Sequence, residues 1–196
     1  GSPESLSSAT SAQVADVINT VFSSVSFALR DHSQHLEVLN LTGSGNINGT
    51  GNGIANTIRG NSGDNVLNGA WGDDTLIGGA GNDILTGGKG RDIFHYDSLD
   101  DLNDTITDFK SGSDRLSFDA NAFEANYDQE TGELDAADFD SVADFDPASP
   151  ETSAAFVFDQ STENLFYDLS GTGEGYTLVA NIENGDLDLS DILMIE

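Results

Sequence analysis

Aspartate and asparagine recur every nine residues between Gly51 and His95. The segment divides into the units GNGIANTIR, GNSGDNVLN, GAWGDDTLI, GGAGNDILT and GGKGRDIFH, each beginning with glycine. The sixth position of successive units is occupied by Asn56, Asn65, Asp74, Asp83 and Asp92. Carboxylate oxygens beside glycine turns, which expose backbone carbonyls, are the donors that a calcium ion prefers. The repeat therefore predicts a series of oxygen-lined cation sites.

The eighth position of each unit is apolar and indicates the elements that must position these oxygens. It is occupied by Ile58, Leu67, Leu76, Leu85 and Phe94. Six glycine-rich residues suit a turn, and the other three suit a short strand with one inward side chain. Two units then close one coil, and coils stack at about 4.8 Å, the spacing of strands in a sheet. We expect Ile58, Leu76 and Phe94 to stack on one side, with Leu67 and Leu85 on the other.

This predicted core is too thin to hold the coils together alone. Ordering the backbone costs about 1–2 kcal/mol per residue, and each unit buries a single apolar side chain. Something besides apolar burial must therefore stabilise the roll. A flexible glycine-rich linker is the alternative interpretation, but a linker has no reason to keep an apolar residue at every eighth position.

The composition favours cations as partners. Six Lys and Arg oppose 35 Asp and Glu, which gives a net charge of −29 and excludes the basic surface that nucleic acids need. The chain has no cysteine, so disulfides and thiol chemistry are excluded. It has no apolar run long enough for a transmembrane helix. Glycine is concentrated in residues 43–90, whereas acidic and aromatic residues dominate from Asp92 onward, which indicates two structural regions.

The nine-residue unit resembles GGxGxDxUx, the calcium-binding nonapeptide of the RTX (repeats-in-toxin) family. The resemblance implies an all-β fold: a parallel β-roll, that is a right-handed β-helix of calcium-binding repeats, with an antiparallel β cap at the C-terminus. It also implies that aspartates of successive turns on one side share an ion, which here pairs Asp74 with Asp92. We expect the pairs Asn56 with Asp74 and Asn65 with Asp83 to be weaker sites or empty, because each has one charge fewer. The glycines expected to supply carbonyl ligands are Gly69, Gly72, Gly78, Gly79, Gly81, Gly87, Gly88 and Gly90.

Further aspartates follow the last unit. The stretch YDSLDDLNDTITDFKSGSDRLSFD resembles DTIxDFxxGxDxIDLS, the segment that follows RTX rolls in serralysin-type proteases and similar exported proteins. Asp104, Asp108 and Asp114 match this pattern. The resemblance implies that Asp83 finds its second carboxylate in Asp101, Asp104 or Asp108, with a solvated acidic strand pair as the alternative. Together these sites predict about three to five calcium ions.

Four parts are predicted along the chain. Residues 1–5 look like an expression-vector scar, and residues 6–50 form flanking coils or strands. The roll and the start of the cap occupy 51–110, and a β cap occupies 111–196. Within the cap, FVFDQSTENLFYDLSGTGEGYTLVANIE alternates apolar and polar residues around two turns, which predicts antiparallel hairpins.

The flanking segment before the roll can be interpreted in two ways. VADVINTVFSSVSFALRDHSQHLEVLNLTG resembles the segment that precedes many RTX rolls, where it forms earlier coils. Its Val17, Val21, Phe22 and Val25 also fit one face of a helix. The β-branched and serine content favours strands.

Catalysis is not expected in this chain. His32, His35 and His95 do not form HExxH, and the chain has neither a nucleophile elbow nor a P-loop. His32 and His35 could together hold a transition metal, but we expect loop residues.

The preferred function is a calcium-binding module of a larger secreted bacterial protein, disordered without calcium and folded by extracellular calcium after type I export. The tail SDILMIE resembles the signal that type I exporters read, with a last cap strand as the alternative. We expect an extracellular or cell-surface monomer whose partners are calcium and the type I secretion machinery. The alternative function is binding of polysaccharide or a cell surface, as in modules of alginate epimerases or RTX adhesins, with Trp71 stacked on a sugar.

Overall fold

The chain forms an all-β solenoid built from short strands. The computed structural model describes residues 19–32, 35–148, 152–173 and 175–196. In chain order its strands are β1 (Thr20–Ser23), β2 (Phe27–Ala28), β3 (Val38–Leu41), β4 (Gly49–Thr50), β5 (Thr57–Arg59), β6 (Val66–Trp71), β7 (Thr75–Ile77), β8 (Ile84–Lys89), β9 (Ile93–Tyr96), β10 (Asp104–Ile106), β11 (Arg115–Asp119), β12 (Phe139–Val142), β13 (Phe156–Asp159), β14 (Asn164–Asp168), β15 (Tyr176–Ile182) and β16 (Ile192–Ile195). Two short 3-10 helices lie at Leu29–Asp31 and Leu189–Asp191. Within the described residues, no helix is long and apolar enough to cross a membrane.

Two sheets form the walls of the solenoid. One has seven strands in the order β1-β3-β5-β7-β9-β11-β16, and we call it the first sheet. The second sheet has nine strands in the order β12-β13-β14-β15-β10-β8-β6-β4-β2. From β1 to β11 the chain alternates between them, so each pair of strands completes one coil. The solenoid has about eight turns.

The strand register confirms the predicted coil. Ile58 pairs in parallel with Leu76, and Leu76 with Phe94, in the first sheet. Leu67 pairs with Leu85 in the second sheet. All five side chains are at most 1% exposed. The apolar eighth positions therefore form two inward-facing stacks, as the nine-residue spacing predicts.

The flanking segment forms strands in the part that the structure describes. Val21 and Phe22 lie in β1, which pairs in parallel with β3. Leu39 on β3 then stacks with Ile58 of the next coil. Residues 19–32 and 35–50 thus contain four short strands and the 3-10 helix at Leu29–Asp31. Val17 and the predicted vector scar at residues 1–5 lie outside the described residues.

The C-terminal region only partly forms the predicted antiparallel cap. β13, β14 and β15 form two antiparallel hairpins, which confirms that prediction. However, β12 pairs in parallel with β13, and β11 and β16 extend the first sheet in parallel. The last strand covers the edge of β11, whose backbone groups would otherwise be left unpaired. The tail SDILMIE thus supplies a buried strand, with Ile192 at 0% and Met194 at 1% exposure.

Aromatic side chains fill the wider core beneath the hairpins. Phe118 stacks on Tyr96 at 5.2 Å between ring centroids and contacts Phe123 at 5.0 Å and Phe156 at 4.7 Å. Tyr167 packs edge-on against Phe123 at 5.1 Å. Because large aromatic rings bury far more surface than one aliphatic residue per unit, the C-terminal region buries more apolar surface in its core than the roll does.

Candidate metal centre

On one edge of the roll, the sixth-position residues of alternate units lie above one another. The backbone N–H of Asn56 donates to Asp74 Oδ1 (2.7 Å), and the backbone N–H of Asp74 donates to Asp92 Oδ1 (2.9 Å). The backbone N–H of Asp92 donates in turn to Asp114 Oδ1 (3.1 Å). Each carboxylate therefore bridges two successive turns. The structure brings Asp74 and Asp92 together and adds Asp114 to the same series.

The opposite edge repeats this arrangement. The backbone N–H of Asn65 donates to Asp83 Oδ1 (2.6 Å), and the backbone N–H of Asp83 donates to Asp104 Oδ1 (3.0 Å). Asp104 begins β10, which pairs in parallel with β8. Of the three residues proposed from the sequence as the second carboxylate beside Asp83, Asp104 is the one stacked above it.

The other two proposed partners of Asp83 bond elsewhere. Asp101 accepts hydrogen bonds within its own turn, from the Asp97 backbone N–H (3.2 Å) and the Ser98 hydroxyl (3.1 Å). Asp108 accepts bonds from the backbone N–H groups of Gly87 and Gly88, both at 2.8 Å. Both carboxylates are thus already engaged in holding turns.

Three buried carboxylate oxygens in these turns have no hydrogen-bond donor: Asp74 Oδ2, Asp83 Oδ2 and Asp104 Oδ2. Burial raises the pKa of Asp74 to about 7, of Asp83 to about 6 and of Asp104 to about 8. Burial also raises the pKa of Asp92 to about 6. A buried carboxylate without a partner is costly because its charge is removed from water with nothing in exchange. A bound cation would remove that cost.

The first glycine of a unit leaves space beside these oxygens. A Cβ built on Gly69 would overlap both Asp74 Oδ2 and the carbonyl oxygen of Gly87 in the next coil. A Cβ built on Gly78 would overlap Asp83 Oδ2 and lie 3.1 Å from Asp104 Oδ2. The glycines thus keep open two places at which oxygens from neighbouring coils converge. Oxygen donors from carboxylates and carbonyls are the set that calcium binds.

The turns with asparagine at the sixth position differ from those with aspartate. We call the turns containing Asn56 and Asn65 the asparagine turns, and those containing Asp74, Asp83 and Asp92 the aspartate turns. In both asparagine turns the amide is satisfied by the protein itself. Its oxygen accepts a backbone N–H of its own unit, and its nitrogen donates to a carbonyl of the coil below.

The same two kinds of hydrogen bond occur at both asparagine turns, with similar distances. Asn56 Oδ1 accepts the Asn52 N–H at 2.8 Å, and Asn56 Nδ2 donates to the Leu36 carbonyl at 3.0 Å. For Asn65 the corresponding bonds are 2.8 Å and 2.8 Å, from the N–H of Asn61 and to the carbonyl of Ile47. No cation is needed to satisfy either amide.

The backbone changes together with the side chain. In each aspartate turn, the residue directly after the first glycine of the unit has a left-handed backbone conformation. These residues are Ala70 at φ +80°, Gly79 at +85° and Gly88 at +102°. The equivalent Asn52 and Asn61 donate their N–H groups to the asparagine side chains instead. In the turns of Asp74 and Asp83, therefore, no N–H of the same unit reaches the carboxylate Oδ2.

The eight glycines proposed as carbonyl donors all lie in the aspartate turns or in the strand ends that lead into them. Five have left-handed backbone conformations, namely Gly72, Gly79, Gly81, Gly88 and Gly90. The remaining three are the first residues of their units, namely Gly69, Gly78 and Gly87.

Two residues near these turns were missed by the sequence reasoning as site residues. Asp114 matches the cap pattern, yet it was not among the proposed ligands; its place one coil above Asp92 depends on a 22-residue spacing. Tyr96 is 1% exposed, and its hydroxyl has no hydrogen-bond partner. Its only signal in the sequence is its position two residues after Phe94, on the inward side of β9.

The other singled-out residues do not join the turns. His32 stacks on Phe27 at 4.3 Å between ring centroids. His95 lies on the outer side of β9, with Nδ1 2.8 Å from Ser117 Oγ and Nε2 2.6 Å from Asp97 Oδ1. Trp71 is 62% exposed, and the Lys89 ammonium lies 4.8 Å from its ring centroid.

Side chains alone do not make these sites. In the part of the chain that the structure describes, no group of three or more His, Asp or Glu side chains is arranged to hold a metal ion. Backbone carbonyls of the glycine turns are further oxygen donors that an ion there could use. Stacked coils, paired carboxylates and glycine-rich turns together define a calcium-binding β-roll.

Comparison with known families agrees with that class. The family model of the RTX calcium-binding nonapeptide repeat, which comprises four copies, matches residues 50–85 and again residues 68–102. The chain therefore contains RTX calcium-binding nonapeptide repeats, and this segment is a calcium-binding module. No curated protein matches the chain.

Proposed function

We propose that this chain is a calcium-dependent folding module of a secreted bacterial protein. Without calcium it stays largely unfolded, and in extracellular calcium the roll closes around ions held between successive aspartate turns. The observation that carries the proposal is the set of buried carboxylate oxygens without a donor at Asp74, Asp83 and Asp104. A chain that placed those charges together without a cation would oppose its own folding.

Two ion positions are best supported. One lies between the turns of Asp74 and Asp92, next to Gly69. The other lies between the turns of Asp83 and Asp104, next to Gly78. The ion supplies the positive charge that these carboxylates lack, while glycine carbonyls complete its oxygen shell. Including the weaker positions, the proposal retains about three to five ions.

The net charge of −29 supports the coupling of binding to folding. Like charges repel along the calcium-free chain and keep it expanded and soluble. Calcium binds the folded state alone, so each ion adds its binding free energy to the stability of the fold. The roll then acts as a switch that follows the calcium concentration.

Circular dichroism and calorimetry test this proposal. In a chelator the far-UV spectrum should show little ordered structure, and added calcium should produce a cooperative gain of β signal with several ions bound. Magnesium is the matched control, because it keeps its water shell and demands a smaller octahedral site. A chain that is already fully folded in the chelator would contradict the proposal.

Export is the second half of the proposal. We infer that the tail is read by a type I exporter while the chain is unfolded, since in the fold Ile192 and Met194 are buried against β11. Deleting residues 191–196 should abolish export from cells that carry such an exporter. Undiminished export of the truncated chain would rule out the tail as the signal.

A carbohydrate- or surface-binding role remains a separate proposal, supported by one observation. Trp71 exposes 62% of its surface at the end of β6, where a ring could stack on a sugar. Titration with alginate and other glycans should then detect binding that is lost in Trp71→Ala while calcium-induced folding is kept. Absence of binding to any glycan would leave calcium-dependent folding as the single function.

A further inference from the structure

The site between Asp83 and Asp104 differs from its neighbours by a buried phenol. Tyr96 ends β9, faces the interior and is 1% exposed. Its ring is held by stacking on Phe118 at 5.2 Å between centroids. The ring position is therefore fixed by packing, and the hydroxyl is carried to one place in the core.

The hydroxyl of Tyr96 lacks a hydrogen-bond acceptor, and the two carboxylates at this site each have an oxygen that lacks a donor. Four buried side-chain polar atoms in the described residues lack a hydrogen-bond partner, and three of them are Tyr96 Oη, Asp83 Oδ2 and Asp104 Oδ2. The phenol is a donor without an acceptor, whereas the carboxylate oxygens are acceptors without a donor. Leaving the phenol and the carboxylate oxygens without hydrogen bonds in a buried site is unfavourable.

The buried Tyr96 hydroxyl lies close to the Asp104 carboxylate, and the two side chains interact. Burial first, and then the charge of Asp104, raises the pKa of Tyr96 well above its ordinary value. The charges of Asp83 and Asp101 add to this effect. The phenol is therefore a hydrogen-bond donor beside the carboxylate pair.

Asp104 has one oxygen available for such a bond. Its Oδ1 already accepts the backbone N–H of Asp83 at 3.0 Å. Its Oδ2 has no donor, and it lies 3.1 Å from the position that a Cβ on Gly78 would occupy. A carboxylate oxygen has two lone pairs, so it can accept a hydrogen bond and bind a cation together.

We propose that Tyr96 is a positioning residue of the calcium site between Asp83 and Asp104, and that its hydroxyl donates to Asp104 Oδ2 when the ion is bound. The ion draws the two carboxylates together, and the phenol orients the one that the cap supplies. The inference rests on the proposed calcium function. It goes further in giving this site a donor from the opposite sheet, which ties ion binding on the second sheet to the aromatic core under the hairpins.

Calcium titration of Tyr96→Phe tests the inference. The substitution keeps the ring and its packing on Phe118 but removes the donor. We expect the calcium affinity of one site to fall about tenfold, the effect of losing a hydrogen bond to a charged group, while the other sites keep their affinity. The matched control is Tyr167→Phe, because Tyr167 is also buried but bonds to the backbone of Glu124. That control should bind calcium with wild-type affinity at every site.

A second measurement tests whether the Tyr96 hydroxyl orients the Asp104 carboxylate or whether Tyr96 only contributes to packing. In the calcium-loaded wild-type protein, NMR should detect one slowly exchanging tyrosine hydroxyl proton that is absent from Tyr96→Phe and disappears on chelation. If Tyr96→Phe does not fold, the signal is assigned instead by its persistence in the Phe variants of Tyr127, Tyr167 and Tyr176. Wild-type affinity at all sites of Tyr96→Phe, or no such proton, overturns the inference while calcium binding stands. Failure of the wild-type chain to bind calcium would overturn the calcium function itself.

Discussion

The asparagine turns and the aspartate turns belong to the same type of coil, but the polar atoms of their sixth-position side chains find different partners. Asn56 both accepts and donates, so its amide is bonded to Asn52 and Leu36 within the protein. At Asp74, one carboxylate oxygen accepts a backbone N–H and the other has no donor. A single nitrogen-for-oxygen exchange therefore turns a self-sufficient coil into one that needs a cation.

The difference shows how one repeat can form both coils that fold without calcium and coils that fold only with it. The asparagine turns stack on the flanking coils through bonds that do not depend on calcium, such as that from Asn65 to the Ile47 carbonyl. The aspartate turns place negative charge in the same position of later coils. Because carboxylates repel one another when buried together, order should extend from the asparagine turns into the aspartate turns only when calcium is present.

Removing the carboxylates of one aspartate pair should have the largest effect. In the double variant Asp83→Ala with Asp104→Ala, we expect the stabilisation by calcium to fall by about 3 kcal/mol at a calcium concentration a hundredfold above the dissociation constant. Urea unfolding at several calcium concentrations measures it.

A double variant of two exposed acids, Glu130→Ala with Asp186→Ala, removes the same charge from the surface and serves as the control. It should keep nearly all of the calcium-dependent stabilisation. An equal loss in both double variants would mean that net charge, and not the stacked turns, governs the response to calcium.

The pH should act in opposite directions without and with calcium. The folded calcium-free chain holds protons on Asp74 up to about pH 7 and on Asp104 up to about pH 8, whereas an unfolded chain releases them near pH 4. The stability that these two protonated carboxyls contribute in a chelator is thus fully present below about pH 4, and it is lost as the pH rises through 7 to 8. We expect a loss of at least about 1.4 kcal/mol, the equivalent of one pKa unit.

In calcium, stability should instead rise with pH, because protons compete with the ion for these carboxylates. The folded fraction measured by circular dichroism in the chelator and the urea midpoint measured in calcium, each at about pH 5 and pH 8, check both signs. The variant Asp74→Asn with Asp104→Asn should flatten the slope measured in the chelator. A wild-type stability in the chelator that rises with pH would contradict the assignment of buried carboxyls.

Exchanging the two kinds of turn should give a smaller but diagnostic effect. Asp83→Asn removes a buried charge, and Gly79 can adopt the backbone of an asparagine turn. We expect this variant to gain about 1–2 kcal/mol in a chelator and to lose one calcium ion. Asn65→Asp should do the reverse, becoming less stable in the chelator and more responsive to calcium. Identical calcium responses for the two variants would show that the sixth-position group does not set the type of turn.

The smallest effect is expected at Ala70. It occupies the second position of an aspartate turn with φ +80°, where the other two aspartate turns have glycine. Ala70→Gly should stabilise the calcium-bound roll by about 0.5–1 kcal/mol, because relief of the left-handed strain slightly exceeds the entropy cost of glycine. Thermal unfolding measures the gain, and Ala154→Gly, at a buried site without positive φ, should instead destabilise. A loss of stability at both positions would rule out strain at Ala70.

Much of the roll could be predicted from the sequence because its contacts are local and periodic. A spacing of nine residues determines which apolar side chains stack, and Ile58, Leu76 and Phe94 do so. The second partner of Asp83 could be narrowed only to Asp101, Asp104 or Asp108. Beyond the last unit the period is lost, so no spacing rule says which aspartate lies above which.

The sequence by itself determined the coil, its inward residues and the type of ligand, because each follows from residue types repeated at a fixed interval. Only the tertiary structure decided that Asp104 stacks on Asp83, that Asp114 follows Asp92, and that the final strand returns to pair with β11. It also brought the buried Tyr96 hydroxyl close to Asp104, which begins a strand of the second sheet. These contacts join residues without a common period, and three-dimensional packing brings them together.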